Sequence, residues 1–274
     1  MNQLESLKPR SKFNVMDLVR DAGIDVSDWA NFKGGVKKAS SNPKYCYEWA
    51  FVDPKHVVLN IWYNSIIEFN KQILLRGNLR KKSGSDSTKG VWKSRADKFD
   101  KAVRNAFLNA KTIRVIINEG QQRDGHSRET KASIVKFRLL DKDPWTVTSY
   151  EGKSGQFELT RGFQLPQIVD QFILNPDIQA WADKRSVTSQ VFKRSQLVRR
   201  QVLNRARGKC EYCGETGFIT IDNRIYIETH HIIPLSEGGP DTVKNVAALC
   251  PNHHKEAHEG LNREKIRTTL IKKR

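Results

Sequence analysis

The sequence is short of acids: 30 Asp and Glu face 48 Lys and Arg in 274 residues, a formal charge of +18. It has no stretch approaching the roughly 18 consecutive apolar residues of a membrane span, so a spanning protein is not expected. Met1 to Arg10 includes Lys8 and Arg10 but no apolar core of the kind a secretory signal needs. Cysteine is sparse as well. Three of the four lie between positions 210 and 250, which fits a metal site in a reduced, cytoplasmic protein better than a disulfide framework. No internal repeat is present. What remains is positive charge, and a field that strong makes nucleic acid the first partner to consider, ahead of an anionic membrane surface.

The length suits two domains. Phe13, Val15, Met16, Leu18, Val19 and Ile24 predict a helix that stops near Gly23, and Ser27 is placed to cap a short element after it. His56 to Tyr63 reads as a strand. Residues 71–95 hold eight Lys or Arg and a single acid, Asp86, around Ser83-Gly84-Ser85, and read as a mobile surface loop. Val103, Ala106, Phe107 and Ala110 give Trp92 to Ala110 a helical period. Ile113 to Asn118, Ala132 to Asp141 and Trp145 to Tyr150 read as strands, with Gly120 to Gly125 a loop between the first two. The fold class is therefore α+β, with a first domain over residues 1–170.

Pro166 and Pro176 then punctuate a connector. Lys184 to Lys209 contains nine Lys or Arg and no acid, with Val191, Leu197, Val198, Val202 and Leu203 at near-helical intervals. This predicts a basic helical linker over 171–204, either an ordinary solvated helix or, as the lack of acids favours, one that faces phosphate. Residues 205–274 carry twelve basic and nine acidic side chains, so most of the positive excess lies upstream of them.

Chemistry concentrates at the end of the chain. Cys210-Glu-Tyr-Cys213 and Cys250-Pro-Asn-His253 are two ligand pairs with two-residue spacers, the usual arrangement of a four-coordinate structural zinc site. His254 adjoins His253, and spacing alone leaves open which of them completes the set. Between the pairs, Ile225-Tyr226-Ile227 leads as a strand into Glu228-Thr-His230-His231, whose two histidines point to opposite faces. Gly238-Gly239-Pro240 forces a turn. His254 and His258, at i and i+4, share one helix face, which suits a common metal ion.

With Cys210, Cys213, the His230-His231-Ile-Ile-Pro-Leu block, Gly238-Gly239, Asn245, Leu249-Cys250, His254 and His258 in place, the stretch from about 195 to 260 resembles the HNH (ββα-metal) endonuclease family in its McrA-like form with a zinc knuckle. It departs from the family in carrying His253 where a fourth cysteine is usual, and Cys₃His is itself a zinc ligand set. The resemblance implies a C-terminal HNH nuclease domain over 205–274 that hydrolyses DNA phosphodiesters with one catalytic divalent cation (Mg²⁺, Mn²⁺ or Ni²⁺) and a structural Zn²⁺. It implies His230 and His254 as ligands of that cation, with His258 a further one, and His231 as the general base. Asn245 would orient His231 or tie the connecting loop to it. Glu228, on the face of His230, would hydrogen-bond a metal-binding imidazole.

Other motifs carry less. Gly152-Lys153-Ser154 has Val147 where a phosphate loop needs glycine. Asp143 with Glu151-Gly-Lys153 matches a second nuclease triplet of a kind that arises by chance. Cys46 is expected as a small buried residue, and Trp49, Phe51 and Trp62 as core rather than a base-binding cage. The resulting expectation is a DNA endonuclease or nickase of a restriction or anti-phage defence system, with DNA and other defence proteins as partners and no membrane. Its first domain would serve targeting, partner contact or autoinhibition. The alternatives are a homing or phage nuclease and a non-catalytic zinc-ribbon DNA-binding protein.

Overall fold

A computed structural model describes residues 3–80, 90–122, 133–174 and 195–274. The chain divides into two compact units, Met1–Gln164 and Leu165–Arg274, both mixtures of helix and sheet. Among the described residues no helix is long and apolar enough to cross a membrane.

In the first unit, helix α1 (Val15–Asp21) starts where the Asn14 side chain accepts the Asp17 N–H, and the chain turns at Gly23 with φ +99°. Ser27 does not cap the element that follows; it donates its N–H to Asp25 instead. Strands β1 (Ala50–Val52), β2 (Val57–Trp62), β3 (Ile66–Phe69) and β4 (Gln72–Asn78) come next. Helix α2 (Gly90–Leu108) buries Ala96, Phe99, Val103, Ala106 and Phe107, the period read from sequence. Strands β5 (Arg114–Gln121), β6 (Ile134–Leu140), β7 (Trp145–Tyr150) and β8 (Gln156–Arg161) complete two four-stranded sheets, ordered β1-β2-β5-β6 and β3-β4-β8-β7. β2 and β5 are parallel; the other neighbours in both sheets are antiparallel.

Two readings of this unit change. The basic stretch 71–95 is not one loop, because β4 occupies its start and α2 begins at Gly90. Ile73, Leu74 and Leu75 are buried there, enough apolar surface to hold a strand whose other residues are polar. Residues 81–89 of that loop and 123–132 of the next lie outside the described residues. Phe51 joins Trp29 and Tyr45 in a stacked aromatic core, with Cys46 half-buried at its margin, while Trp49 and Trp62 are half-buried. Where the sheets meet, Asp141 is almost fully buried and accepts from Trp145 Nε1 at 2.8 Å and from Arg161 Nε and Nη2 at 2.7 and 2.8 Å. Asp100 accepts from Arg80 and from Tyr150, whose hydroxyl pKa burial and this bond push up to about 12.

The second unit opens with β9 (Ile168–Val169), which sequence reading placed at the end of the first domain. It pairs in parallel with β11 (Ile225–Tyr226), itself the antiparallel partner of β10 (Phe218–Ile219). Helix α3 (Gln171–Leu174) follows β9, and residues 175–194 of the expected linker lie outside the described residues. Helix α4 (Gln196–Ala206) is part of the second unit's core rather than a free linker, since Val202, Leu203 and Ala206 pack with Ile227, Ile232 and Val246–Leu249. Its arginines are largely spoken for. Arg199 pairs with fully buried Asp170, Arg200 is buried, and Arg205 binds Glu211 and two carbonyls. Within the described part of this stretch, Arg199 and Arg205 thus take acidic partners supplied from elsewhere in the unit. Strands β12 (Glu228–His231) and β13 (Val246–Leu249) form an antiparallel pair covered by helices α5 (Pro251–Glu259) and α6 (Arg263–Lys272).

Candidate metal centres and active site

Neighbouring strand residues leave on opposite faces, so β12 presents His230 to one side and His231 to the other. His230 meets α5, where a four-residue spacing stacks His254 and His258 on one face. The three rings are mutually edge-on, with centroids 4.7 to 5.2 Å apart. His258 Nε2 lies 3.2 Å from both His230 Nδ1 and His254 Nε2, so three ring nitrogens converge on one point. Burial, then the neighbouring imidazoles, push the His230 pKa down to about 3, leaving it neutral, the form that can donate a lone pair to a cation. The far nitrogen of His254, Nδ1, contacts Glu228 Oε2, and Tyr226 donates its hydroxyl to Glu228 Oε1 at 2.6 Å. Glu228 thus fixes one ring of the cluster, in the manner of a carboxylate behind a metal-binding histidine.

On the other face, His231 Nε2 lies 3.0 Å from Asp241 Oδ1. Asp241 belongs to the connection between β12 and β13, which Asn245 closes. The Asn245 amide accepts from Ile233 N at 3.0 Å and donates to Ile233 O and Pro240 O at 2.9 Å. Of the two roles open to Asn245 in the sequence, the geometry is that of tying the loop. Gly239 is needed beside it, since a Cβ there would sit 2.0 Å from Ile233 O. Asp241 was not among the residues singled out from sequence. One aspartate after Gly-Gly-Pro looks like a turn residue, and only folding shows that it reaches back to a strand histidine.

The second cluster lies at the other end of α5. Cys210, Cys213, Cys250 and His253 bring their ligand atoms within 4.8 Å of one another, and the cysteines are free thiols. Cys250 caps the helix, Pro251 occupies its first turn, and Cys250 Sγ is 3.0 Å from His253 Nδ1. His253 therefore groups with the thiols and its neighbour His254 with the histidines. Three sulfurs and one imidazole nitrogen at tetrahedral-site spacing fit Zn²⁺. Glu211, inside the first Cys pair, accepts from Arg205, Arg274 and the Ala248 N–H. Burial raises its carboxyl, but these donors outweigh it and hold the pKa below the ordinary value.

The alternative triplet does not assemble. Asp143 precedes β7 and Glu151 follows it, so the six-residue strand keeps them roughly 20 Å apart. Asp143 pairs with Arg161, while Glu151 accepts the Lys153 and Ser154 N–H groups of its own turn.

The HNH endonuclease family model matches residues 210–260, which span both clusters. Those residues are an HNH endonuclease domain. Over 77 residues the chain is 43% identical to the type IV methyl-directed restriction enzyme EcoKMcrA of Escherichia coli K12, a match covering 28% of each chain. A shorter match, 48% identical over 31 residues, joins 11% of this chain to 41% of anaredoxin from Nostoc. The chain thus spans well under half the length of either relative. Among solved structures, the phosphorothioation-dependent restriction endonuclease ScoMcrA is 14% identical, covering 79% of this chain and 49% of that one. The modification-dependent TagI restriction endonuclease is also 14% identical, covering 94% and 80%. At TM-scores of 0.28 and 0.26 neither fixes a common fold.

Proposed function

We propose that this protein is a metal-dependent DNA endonuclease or nickase of the restriction type. The observation that carries the reading is the strand–helix cluster itself: three imidazoles converge from β12 and α5 while a fourth, His231, leaves the same strand on the opposite face. A zinc ribbon that only bound DNA would have no use for that arrangement. His230, His254 and His258 would hold the divalent cation, which when bound supplies Lewis-acid stabilisation of charge on the scissile phosphate and leaving oxygen. His231 acts as general base: it takes a proton from the attacking water as the water oxygen bonds to phosphorus and the P–O3′ bond breaks. The 3′ oxygen is then protonated from solvent. Glu228 orients His254, and Asn245 holds the loop that carries the His231 partner. The Cys210, Cys213, Cys250 and His253 site would hold zinc for structure.

The relative's methyl-directed restriction makes modified DNA a substrate to test, and the first unit, with +12 of the +18 charge, is the part suited to gripping it. The test incubates the purified chain with supercoiled plasmid, methylated or not, and Mg²⁺, Mn²⁺ or Ni²⁺. Nicked or linear product is expected, with Ni²⁺ ahead of Mg²⁺, because imidazole donors suit transition ions better than a hard oxygen-seeking one. Retention of intact supercoiled DNA under every ion and modification, alongside DNA binding, would identify a non-catalytic binding protein.

A further inference from the structure

The geometry points to Asp241 as the positioning residue of the general base, setting which ring nitrogen of His231 takes the proton from water. Both oxygens of Asp241 are engaged. Oδ1 lies 3.0 Å from His231 Nε2, and Oδ2 accepts the backbone N–H of Ser195 at 2.6 Å. A backbone amide can only donate, so the side of the carboxylate facing Ser195 is an acceptor. An ionised carboxylate has no proton to give to the other side either. Nε2 must then carry the hydrogen, which leaves Nδ1 with its lone pair free. Among the described residues only Nε2 of His231 is hydrogen-bonded, so Nδ1 is the nitrogen left to receive a proton. As that proton arrives the ring becomes an imidazolium, and a carboxylate 3.0 Å away stabilises it.

The anchorage of Asp241 makes the assignment specific. Its loop is pinned by Asn245 to Ile233 and Pro240, and its second oxygen is fixed by the residue whose side chain caps α4, where Ser195 Oγ accepts the Val198 N–H. The carboxylate is thus held between a loop and a helix start and cannot follow the ring if it rotates. An exposed turn aspartate would have neither constraint. With an amide in its place, one of two donors would face another donor: either Nδ2 against Ser195 N–H, or Nδ2 against Nε2, which would force the hydrogen onto Nδ1 and block it as base.

This inference rests on His231 being the base, and the experiment separates the two. Plasmid cleavage by the full chain would be measured at saturating DNA for wild type, Asp241→Asn, Asp241→Ala, His231→Ala and the double variant Asp241→Asn/His231→Ala. Histidine ¹⁵N spectra would report the ring proton of His231, assigned by its loss in His231→Ala. We expect Asp241→Asn to lower kcat by about 10²-fold with KM within about threefold, a loss within the range ascribed to a general base. The wild-type spectrum should show an Nε2–H ring. The double variant should be no slower than His231→Ala alone, because groups acting as one unit are not additive. Added acetate should restore part of the rate to Asp241→Ala and none to His231→Ala. If His231→Ala cuts normally, the base assignment itself falls. If it is inactive but Asp241→Asn keeps the wild-type kcat, or if the double variant is further impaired in proportion, Asp241 is only a structural turn residue.

Discussion

Replacing Cys213 by serine should fail for a reason unlike the loss of His231, and the structure indicates how large the failure is. Cys213 is the exposed member of the four-ligand cluster, while Cys210 is buried against the core formed by α4 and β13. The cluster joins three places in the chain: the knuckle at 210–213, the end of β13 and the first turn of α5. In small zinc modules the bound ion contributes on the order of 10–16 kcal/mol of apparent binding energy. Whole domains are stable by only about 5–15 kcal/mol. Without the ion the second unit keeps its apolar core and the Glu211 network with Arg205 and Arg274. Losing even half of the zinc energy, about 5–8 kcal/mol, is comparable to the whole stability of a typical domain. After dialysis, Cys213→Ser should hold well under one zinc per chain, and trypsin should cut within residues 205–274, whereas His231→Ala should match wild type in both. One tightly held zinc per chain and wild-type trypsin resistance in Cys213→Ser would refute a structural metal at these four residues.

His231→Ala should reduce cleavage by about 10²–10⁴-fold while DNA affinity, measured by titration, stays near wild type. Asp141→Ala in the first unit strands the Trp145 indole N–H and most of the Arg161 guanidinium; at about 3–5 kcal/mol for a broken buried pair, the first unit's Tm should fall on the order of 10 °C by calorimetry. DNA binding should weaken linearly in log K against log salt, and residues 1–164 should bind more tightly than residues 165–274 at matched ionic strength; the reverse order would place the grip in the nuclease unit.

The two Cys and His clusters of the second unit were legible because their residues lie close together along the chain. Two Cys-x-x pairs, a strand His-His and an i, i+4 histidine pair each have a geometry that local backbone rules dictate, and the fold only had to bring them together. Where the expected role depended on a distant partner, the sequence misled. Arg199 and Arg205 sit in an acid-free stretch and read as a phosphate-facing helix. Their partners are Asp170, 29 residues earlier, and Glu211, inside the zinc knuckle. Strand β4 was hidden by its composition, since Arg76, Gly77 and Asn78 follow the three apolar residues that hold it in the sheet. Asp241 was missed on the same ground: nothing local distinguishes an aspartate that fixes a loop from one that fixes a histidine.

Helix α5 serves both clusters at once, with only the peptide bond between His253 and His254 separating a sulfur site from a nitrogen site. Each residue of a helix is turned about 100° from the last, so the two sites are locked in phase. Lengthening the helix by one residue after His253 would leave the thiol cluster whole and swing both His254 and His258 away from His230 together. Changes of length can accumulate before Ser195 or beyond Gly260 without touching this relation. The segment from Pro251 to His258 admits none while both clusters are kept.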